Sequence, residues 1–103
     1  MLTVIETPEF ITSAGAVWSE AERVAFIDWI ADNPMAGDVI PGAGGLRKVR
    51  WTRTGIGKRG GARVIYFTRL ASGEWVLLFV YAKAKFDNLR PEFLLRLREK
   101  FDE

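Results

Sequence analysis

The residues from Trp75 to Ala82, WVLLFVYA, form an almost unbroken apolar run. A run of this length is typical of a central strand of a sheet, and it is far too short for a membrane-spanning helix. Ala71-Ser72-Gly73 is typical of a hairpin turn, and the segment before it, Ala62 to Leu70, is rich in β-branched and aromatic residues. We therefore predict a hairpin whose second strand, Glu74 to Ala82, is central in a sheet.

The remaining elements are predicted from caps and periodicity. Ser19 and Glu22 match the S-x-x-E capping box, and Pro34 ends the apolar stripe that follows, so a helix is predicted from Glu20 to Asn33. Its Trp29, like Trp18 before it, is expected to pack in the core. The other predicted elements are strands at Leu2 to Glu6 and Leu46 to Thr52, a helical turn within Pro8 to Ala14, a glycine-rich loop from Gly37 to Gly45 and a terminal helix from Pro91 to Phe101.

The order of these elements predicts one α+β domain that spans residues 1–103. We expect a small antiparallel sheet of three to four strands, with the first strand added to three consecutive ones and the helices packed on one face. The composition, 49% hydrophobic and 27% charged, is that of an ordinary globular protein. Because the amino terminus lacks the basic region of a signal peptide, we expect a cytoplasmic protein with no membrane partner.

The chain contains neither histidine nor cysteine. The commonest general base, the commonest metal ligand and every thiolate are therefore missing. We expect no metal site and no other cofactor. Any catalysis must use lysine, arginine, tyrosine, carboxylate or hydroxyl groups.

Charge is distributed very unevenly along the chain. The segment from Val39 to Gly73 contains no acidic residue, whereas the segment before it, from Met1 to Asp38, contains a single base, Arg23. Such an acid-free third of a domain indicates a polyanionic partner such as nucleic acid. The alternative is a solvated basic face without a partner. The eight bases are Arg47, Lys48, Arg50, Arg53, Lys58, Arg59, Arg63 and Arg69.

Period-two alternation assigns side chains to the faces of the predicted strands. Lys48 and Arg50 share one face of their strand, and Arg47 lies on the other. In the last strand, Trp75, Leu77, Phe79, Tyr81 and Lys83 are predicted to share a face. The sheet can therefore gather Lys48, Arg50, Arg63, Tyr81 and Lys83 at one end, although the register that decides this is not fixed by the sequence.

Three segments of the chain carry a resemblance to a known family: GDVIPGAGGLRKVRW, GKRGGARVIYF and LLFVYAKAKFDNL. Together they resemble the HigB branch of the RelE/ParE toxin superfamily, over Gly37 to Leu89. The resemblance implies a RelE-like fold and a ribosome-dependent endonuclease that cuts messenger RNA. It also implies a cognate antitoxin, usually a small helix-turn-helix protein, as a partner beside messenger and ribosomal RNA.

Site residues are carried over one by one. By the resemblance, Arg63 occupies the strand arginine that holds the scissile phosphate, and Lys83 occupies the basic position after the last strand. Tyr81 is expected to stack on a base or donate a hydrogen bond. Lys48 is a candidate base, since neighbouring cations can lower the pKa of a lysine. The residues expected to bind RNA are Arg47, Arg50, Lys58, Arg59 and Lys85.

One departure from the family leaves the acid and base assignments open. RelE carries an essential tyrosine near its carboxyl terminus, whereas the terminal helix here has Phe93 and Phe101 and no tyrosine. Lys85 or Phe86 is expected to fill part of that space. Two alternatives also remain: a ParE-like toxin that acts on DNA gyrase without cutting RNA, and a plain RNA-binding adaptor.

Overall fold

A computed structural model describes residues 3–51, 61–69, 72–82 and 90–101. One sheet runs through these residues in the strand order β1-β5-β4-β3-β2. β1 pairs with β5 in parallel, and the other three pairings are antiparallel. The elements are β1 (Thr3–Glu6), α1 (Pro8–Val17), α2 (Glu20–Asp32), β2 (Asp38–Val39), β3 (Arg47–Trp51), β4 (Ala62–Arg69), β5 (Glu74–Ala82) and α3 (Pro91–Phe101). The α+β class is confirmed, but the sheet is larger than predicted and partly parallel.

Local capping sets the positions of the first two helices. The capping box of α2 is confirmed: Ser19 Oγ accepts from Glu22 N at 3.2 Å, and Glu22 Oε1 accepts from Ser19 N at 3.0 Å. Thr7 caps α1 by accepting from Phe10 N, and its hydroxyl donates to Leu77 O of β5 at 2.9 Å. The predicted helical turn is therefore the start of a ten-residue helix. Among the described residues, no helix is long and apolar enough to cross a membrane.

Helices cover both faces of the sheet, so the prediction that they pack on one face is wrong. α1 and α2 bury Phe10, Phe26 and Ile30 against one face, which we call the α1/α2 face. α3 buries Leu94 against the other, which we call the α3 face, beside Ile65 of β4. The physical reason lies in β4 and β5, whose side chains are apolar on both faces and would be left in water by a single helical layer.

A bulge in β5 changes which of its side chains share a face. Ile65 pairs with Phe79 and Tyr66 pairs with Leu77, so Leu78 has no residue opposite it. As a result Leu77 belongs to the core on the α1/α2 face, whereas Phe79 and Tyr81 lie on the α3 face. The predicted alternation from Trp75 to Tyr81 is therefore wrong at this point. The extra residue turns Tyr81 to the same face as its partner on β4, Arg63.

Three side chains of the sheet hold the loop that follows α2. Each donates a hydrogen bond to a backbone carbonyl of that loop, which runs against the edge of β3. Gly37 fits there because it has no side chain: its φ is +88°, and a Cβ atom would lie 2.5 Å from the carbonyl oxygen of Lys48. The three bonds are Trp75 Nε1 to Pro34 O, the Tyr66 hydroxyl to Ala36 O and an Arg47 terminal nitrogen to Gly37 O.

Tyr66→Phe is expected to lower the free energy of unfolding by about 1–2 kcal/mol, because it leaves the carbonyl of Ala36 without its donor. The aromatic ring, which is fully buried, keeps its packing. Urea unfolding checks this. The midpoint should fall, while the slope of the free energy of unfolding against urea concentration should stay the same, which shows that only stability has changed. A variant as stable as the wild type would mean that the hydroxyl does not hold the loop.

Candidate nucleic-acid interface

Three cations lie next to one another on the α3 face. Arg50 of β3 is directly opposite Arg63 of β4, and Arg63 is directly opposite Tyr81 of β5. Lys48 is two residues from Arg50 in β3, so its side chain is on the same face. We call Lys48, Arg50 and Arg63 the basic cluster. The structure thus brings together four of the five residues that were expected to meet at one end of the sheet.

The basic cluster has the charge and exposure of an anion-binding surface. Arg50 is exposed, whereas Lys48 and Arg63 are half-buried. Side chains directly opposite one another on adjacent strands have Cβ atoms about 5 Å apart, and like charges in that position are destabilising. A bound anion offsets this repulsion, and two guanidinium groups on rigid strands are well suited to the oxygens of a phosphate.

Tyr81 is next to the basic cluster but is not an open stacking surface. It is only 3% exposed, and its ring lies 6.2 Å from that of Phe79. Burial raises the pKa of the Tyr81 hydroxyl, and the nearby charge of Arg63 acts in the opposite direction. Tyr81 is therefore protonated at neutral pH, where its hydroxyl is a proton donor and not a base. Because the ring is buried, it does not support the expected stacking on a nucleobase. The expected role of the hydroxyl as a hydrogen-bond donor agrees with its being protonated.

Arg47 does not join the basic cluster. It points to the α1/α2 face, where a terminal nitrogen donates to Gly37 O at 3.2 Å. Its charge also lies close to the Tyr66 hydroxyl, whose pKa is raised by burial and held back by Arg47. These contacts give Arg47 a structural role in holding the loop. The other expected site residues, Lys58, Arg59, Lys83 and Lys85, lie outside the described residues.

A polar cavity of about 440 Å³ opens beside the basic cluster, at the edge of β3. All three cations of the cluster line it. Trp29 of α2 and Asp38 of β2 line it as well, and Gly37 forms part of its wall. Because β2 has only two residues, pairing with β3 stops at Lys48 and leaves room at the sheet edge next to Arg50.

Trp29 and Asp38 are an aromatic and a charged lining residue that the sequence analysis did not assign to a site. Asp38 falls within the predicted loop from Gly37 to Gly45, but it lies in β2 opposite Lys48. Trp29 packs against Phe26, with ring centroids 6.0 Å apart, and is half-buried. No local sequence signal places either residue at the cavity, because both positions depend on how the loop after α2 docks on β3.

A larger cavity of about 640 Å³ lies on the far side of β5, between α1 and α3. Its lining is mostly apolar and includes Val17, Phe79 and Phe93, with Ser13 as one of few polar groups. The Ser13 hydroxyl accepts a hydrogen bond from Val80 N at 3.0 Å, which satisfies the edge of β5 beyond its pairing with β1. Among the described residues that line this cavity, the charged one is Glu9, whose carboxylate would repel a phosphate.

The polar cavity therefore combines three cations on two adjacent strands, one carboxylate and one indole. Such a set can bind a phosphate and stabilise added negative charge on it. Tyr81, which is paired with Arg63 across β4 and β5, lines the larger cavity. Among the described residues, no group of three or more acidic side chains could hold a metal ion. No protein-family model matches the chain.

Proposed function

We propose that this chain is a RelE/HigB-type toxin of a type II toxin–antitoxin system, a cytoplasmic endoribonuclease that cuts messenger RNA on the ribosome and uses no metal or other cofactor. One observation carries the proposal: Arg50 and Arg63 are directly opposite each other, with Tyr81 next in the same row. The resemblance of residues 37–89 to the HigB branch supplies the substrate class. The acid-free segment that contains the basic cluster supports an RNA partner.

The proposed reaction is attack of a ribose 2′-oxygen on the adjacent phosphorus. A bond forms between that oxygen and phosphorus, the bond to the 5′-oxygen breaks, and the products are a 2′,3′-cyclic phosphate and a 5′-hydroxyl. Arg63 and Arg50 stabilise the negative charge that grows on the phosphate oxygens. Tyr81 or Lys83 donates the proton to the leaving oxygen, and Lys48 is the candidate acceptor of the 2′-hydroxyl proton.

The proposed partners follow from the same assignment. Ribosomal RNA is held by further cations, for which Lys58, Arg59 and Lys85 are candidates. A cognate helix-turn-helix antitoxin keeps the toxin inactive in the cell. This regulation predicts that the chain is harmful when it is made alone and harmless when its antitoxin is made with it.

Expression of the chain alone in a bacterial host is expected to arrest growth, with protein synthesis falling before DNA synthesis. Pulse labelling with radioactive methionine and thymidine at successive times after induction measures the order of the two effects. Co-expression of the product of the adjacent gene is expected to restore growth.

The variant Arg63→Ala, produced at the same level, is the control for effects of overproduction. Normal growth with folded wild-type protein would contradict the toxin assignment. If DNA synthesis fell first and protein synthesis followed, the ParE-like alternative, a toxin that acts on DNA gyrase, would replace the proposed cleavage of messenger RNA.

A further inference from the structure

The polar cavity has an aromatic wall as well as a cationic one. Trp29 lines the cavity together with Lys48, Arg50 and Arg63. The other three tryptophans of the chain are more deeply buried: Trp18, Trp51 and Trp75 are 7%, 9% and 5% exposed. Trp29 packs on the α1/α2 face and the basic cluster lies on the α3 face, so the cavity brings the indole and the cations together around the edge of β3.

A cavity of 440 Å³ is within the usual range of small-molecule sites, about 300–1,000 Å³. It offers more space than one phosphate needs. Base stacking on an aromatic ring beside a positively charged groove is the common way in which proteins hold single-stranded RNA. The juxtaposition of indole and basic cluster thus fits a whole nucleotide better than a phosphate alone.

Asp38 adds a group that can discriminate between bases. It lies opposite Lys48 in the pairing of β2 with β3, and it is among the residues that line the cavity. An exposed carboxylate accepts hydrogen bonds and donates none at neutral pH. Adenine, cytosine and guanine each carry an exocyclic amino group that can donate to it, whereas uracil has none.

From these observations we infer that the polar cavity is a nucleotide subsite: the basic cluster holds the phosphate, Trp29 stacks on the base, and Asp38 accepts from an exocyclic amino group. The inference rests on the proposed function, since the same cations hold the phosphate. It adds the selection of an amino-bearing base at the position next to that phosphate.

Binding of nucleoside 5′-monophosphates to the purified chain, without ribosomes, tests the subsite. AMP is expected to quench tryptophan fluorescence and to bind at least about tenfold more tightly than ribose 5-phosphate, which has no base, given the usual strength of stacking. UMP is expected to bind more weakly than AMP or CMP.

Two pairs of variants separate the roles of the residues. Trp29→Phe should remove most of the quenching, and Trp18→Phe, which alters a buried indole outside the cavity, should retain it. Asp38→Asn should reduce the preference for AMP over UMP while it leaves the binding of ribose 5-phosphate equal or stronger. A thermal melt of each variant confirms that it is folded, and the comparison of AMP with ribose 5-phosphate needs no variant at all.

Equal binding of AMP and ribose 5-phosphate by the wild type, or no binding of AMP at millimolar concentration, would overturn the subsite. Quenching that persists in Trp29→Phe would also overturn it. The proposed function can fail separately: a chain that binds AMP as expected and cuts no message on ribosomes keeps the subsite and loses the nuclease assignment. A chain that cuts messages but binds AMP no better than ribose 5-phosphate would keep the nuclease assignment and lose the subsite.

Discussion

Arg63→Ala is expected to slow single-turnover cleavage of a ribosome-bound message by about a hundredfold or more, the usual effect of removing one transition-state donor. Arg63 lies in the middle strand of the three that carry the site, with Arg50 on one side and Tyr81 on the other. Its loss removes a charged fork from the phosphate at the point where negative charge increases most. Binding to the ribosome should change far less, because most of the bases in the acid-free segment remain.

Arg69→Ala is the matched control for this prediction. Arg69 is in the same strand and on the same face as Arg63, but it lies at the other end of β4, 3.5 Å from Glu74. Its removal deletes the same charge without touching the basic cluster, so cleavage should stay near the wild-type rate. Arg63→Lys should recover only part of the activity, because an ammonium group lacks the fork. If folded Arg63→Ala cleaved as fast as the wild type, the assignment of Arg63 to the phosphate would be wrong.

Gly37→Ala is expected to lower the free energy of unfolding by about 3 kcal/mol, through backbone strain at positive φ and a steric clash. The new Cβ would lie 2.5 Å from the carbonyl oxygen of Lys48 and 2.9 Å from the Cβ of Val49. Neither atom can move without displacing β3. For a domain of this size the corresponding fall in melting temperature is roughly 15 °C, which calorimetry measures readily.

Gly42→Ala separates the clash from the strain. Gly42 also has a positive φ, +72°, but a Cβ atom there would have no other atom within 4 Å. The substitution should therefore cost only about 1 kcal/mol, the strain of the left-handed conformation. Equal losses of stability in the two variants would mean that the loop does not approach β3 as closely as described. Gly37→Ala should also weaken nucleotide binding, because this glycine forms part of the cavity wall.

Much of the fold follows from short-range features of the sequence. Ser19, Glu22 and Pro34 are enough to place α2, and the apolar run from Trp75 to Ala82 identifies β5 as an inner strand. β5 and α3 begin and end where the sequence predicts them. These features depend on local capping, local steric limits and residue patterns, all of which can be read without knowledge of the tertiary structure.

The parts that could not be predicted depend on contacts between distant segments. The bulge at Leu78 reverses the faces of half a strand, yet no residue there differs from an ordinary buried strand residue. The cover of both faces by helices was not predicted, and neither was the face that each helix covers. At the site, Arg63 and Arg50 were named from charge and alternation, and their register was not known. The places of Asp38 and Trp29 at the cavity depend on how the loop after α2 docks on β3, and this docking could not be predicted from the sequence.

The most direct test of the proposed function is cleavage of a defined message by the purified chain in a reaction that contains only programmed ribosomes. The 5′ ends of the products are mapped by primer extension, with and without ribosomes and with Arg63→Ala in parallel. The account predicts cuts within the ribosome-bound part of the message, no cuts in free message, and a rate at least about a hundredfold lower for Arg63→Ala. A message that remains intact on ribosomes in the presence of excess folded wild-type chain would contradict it.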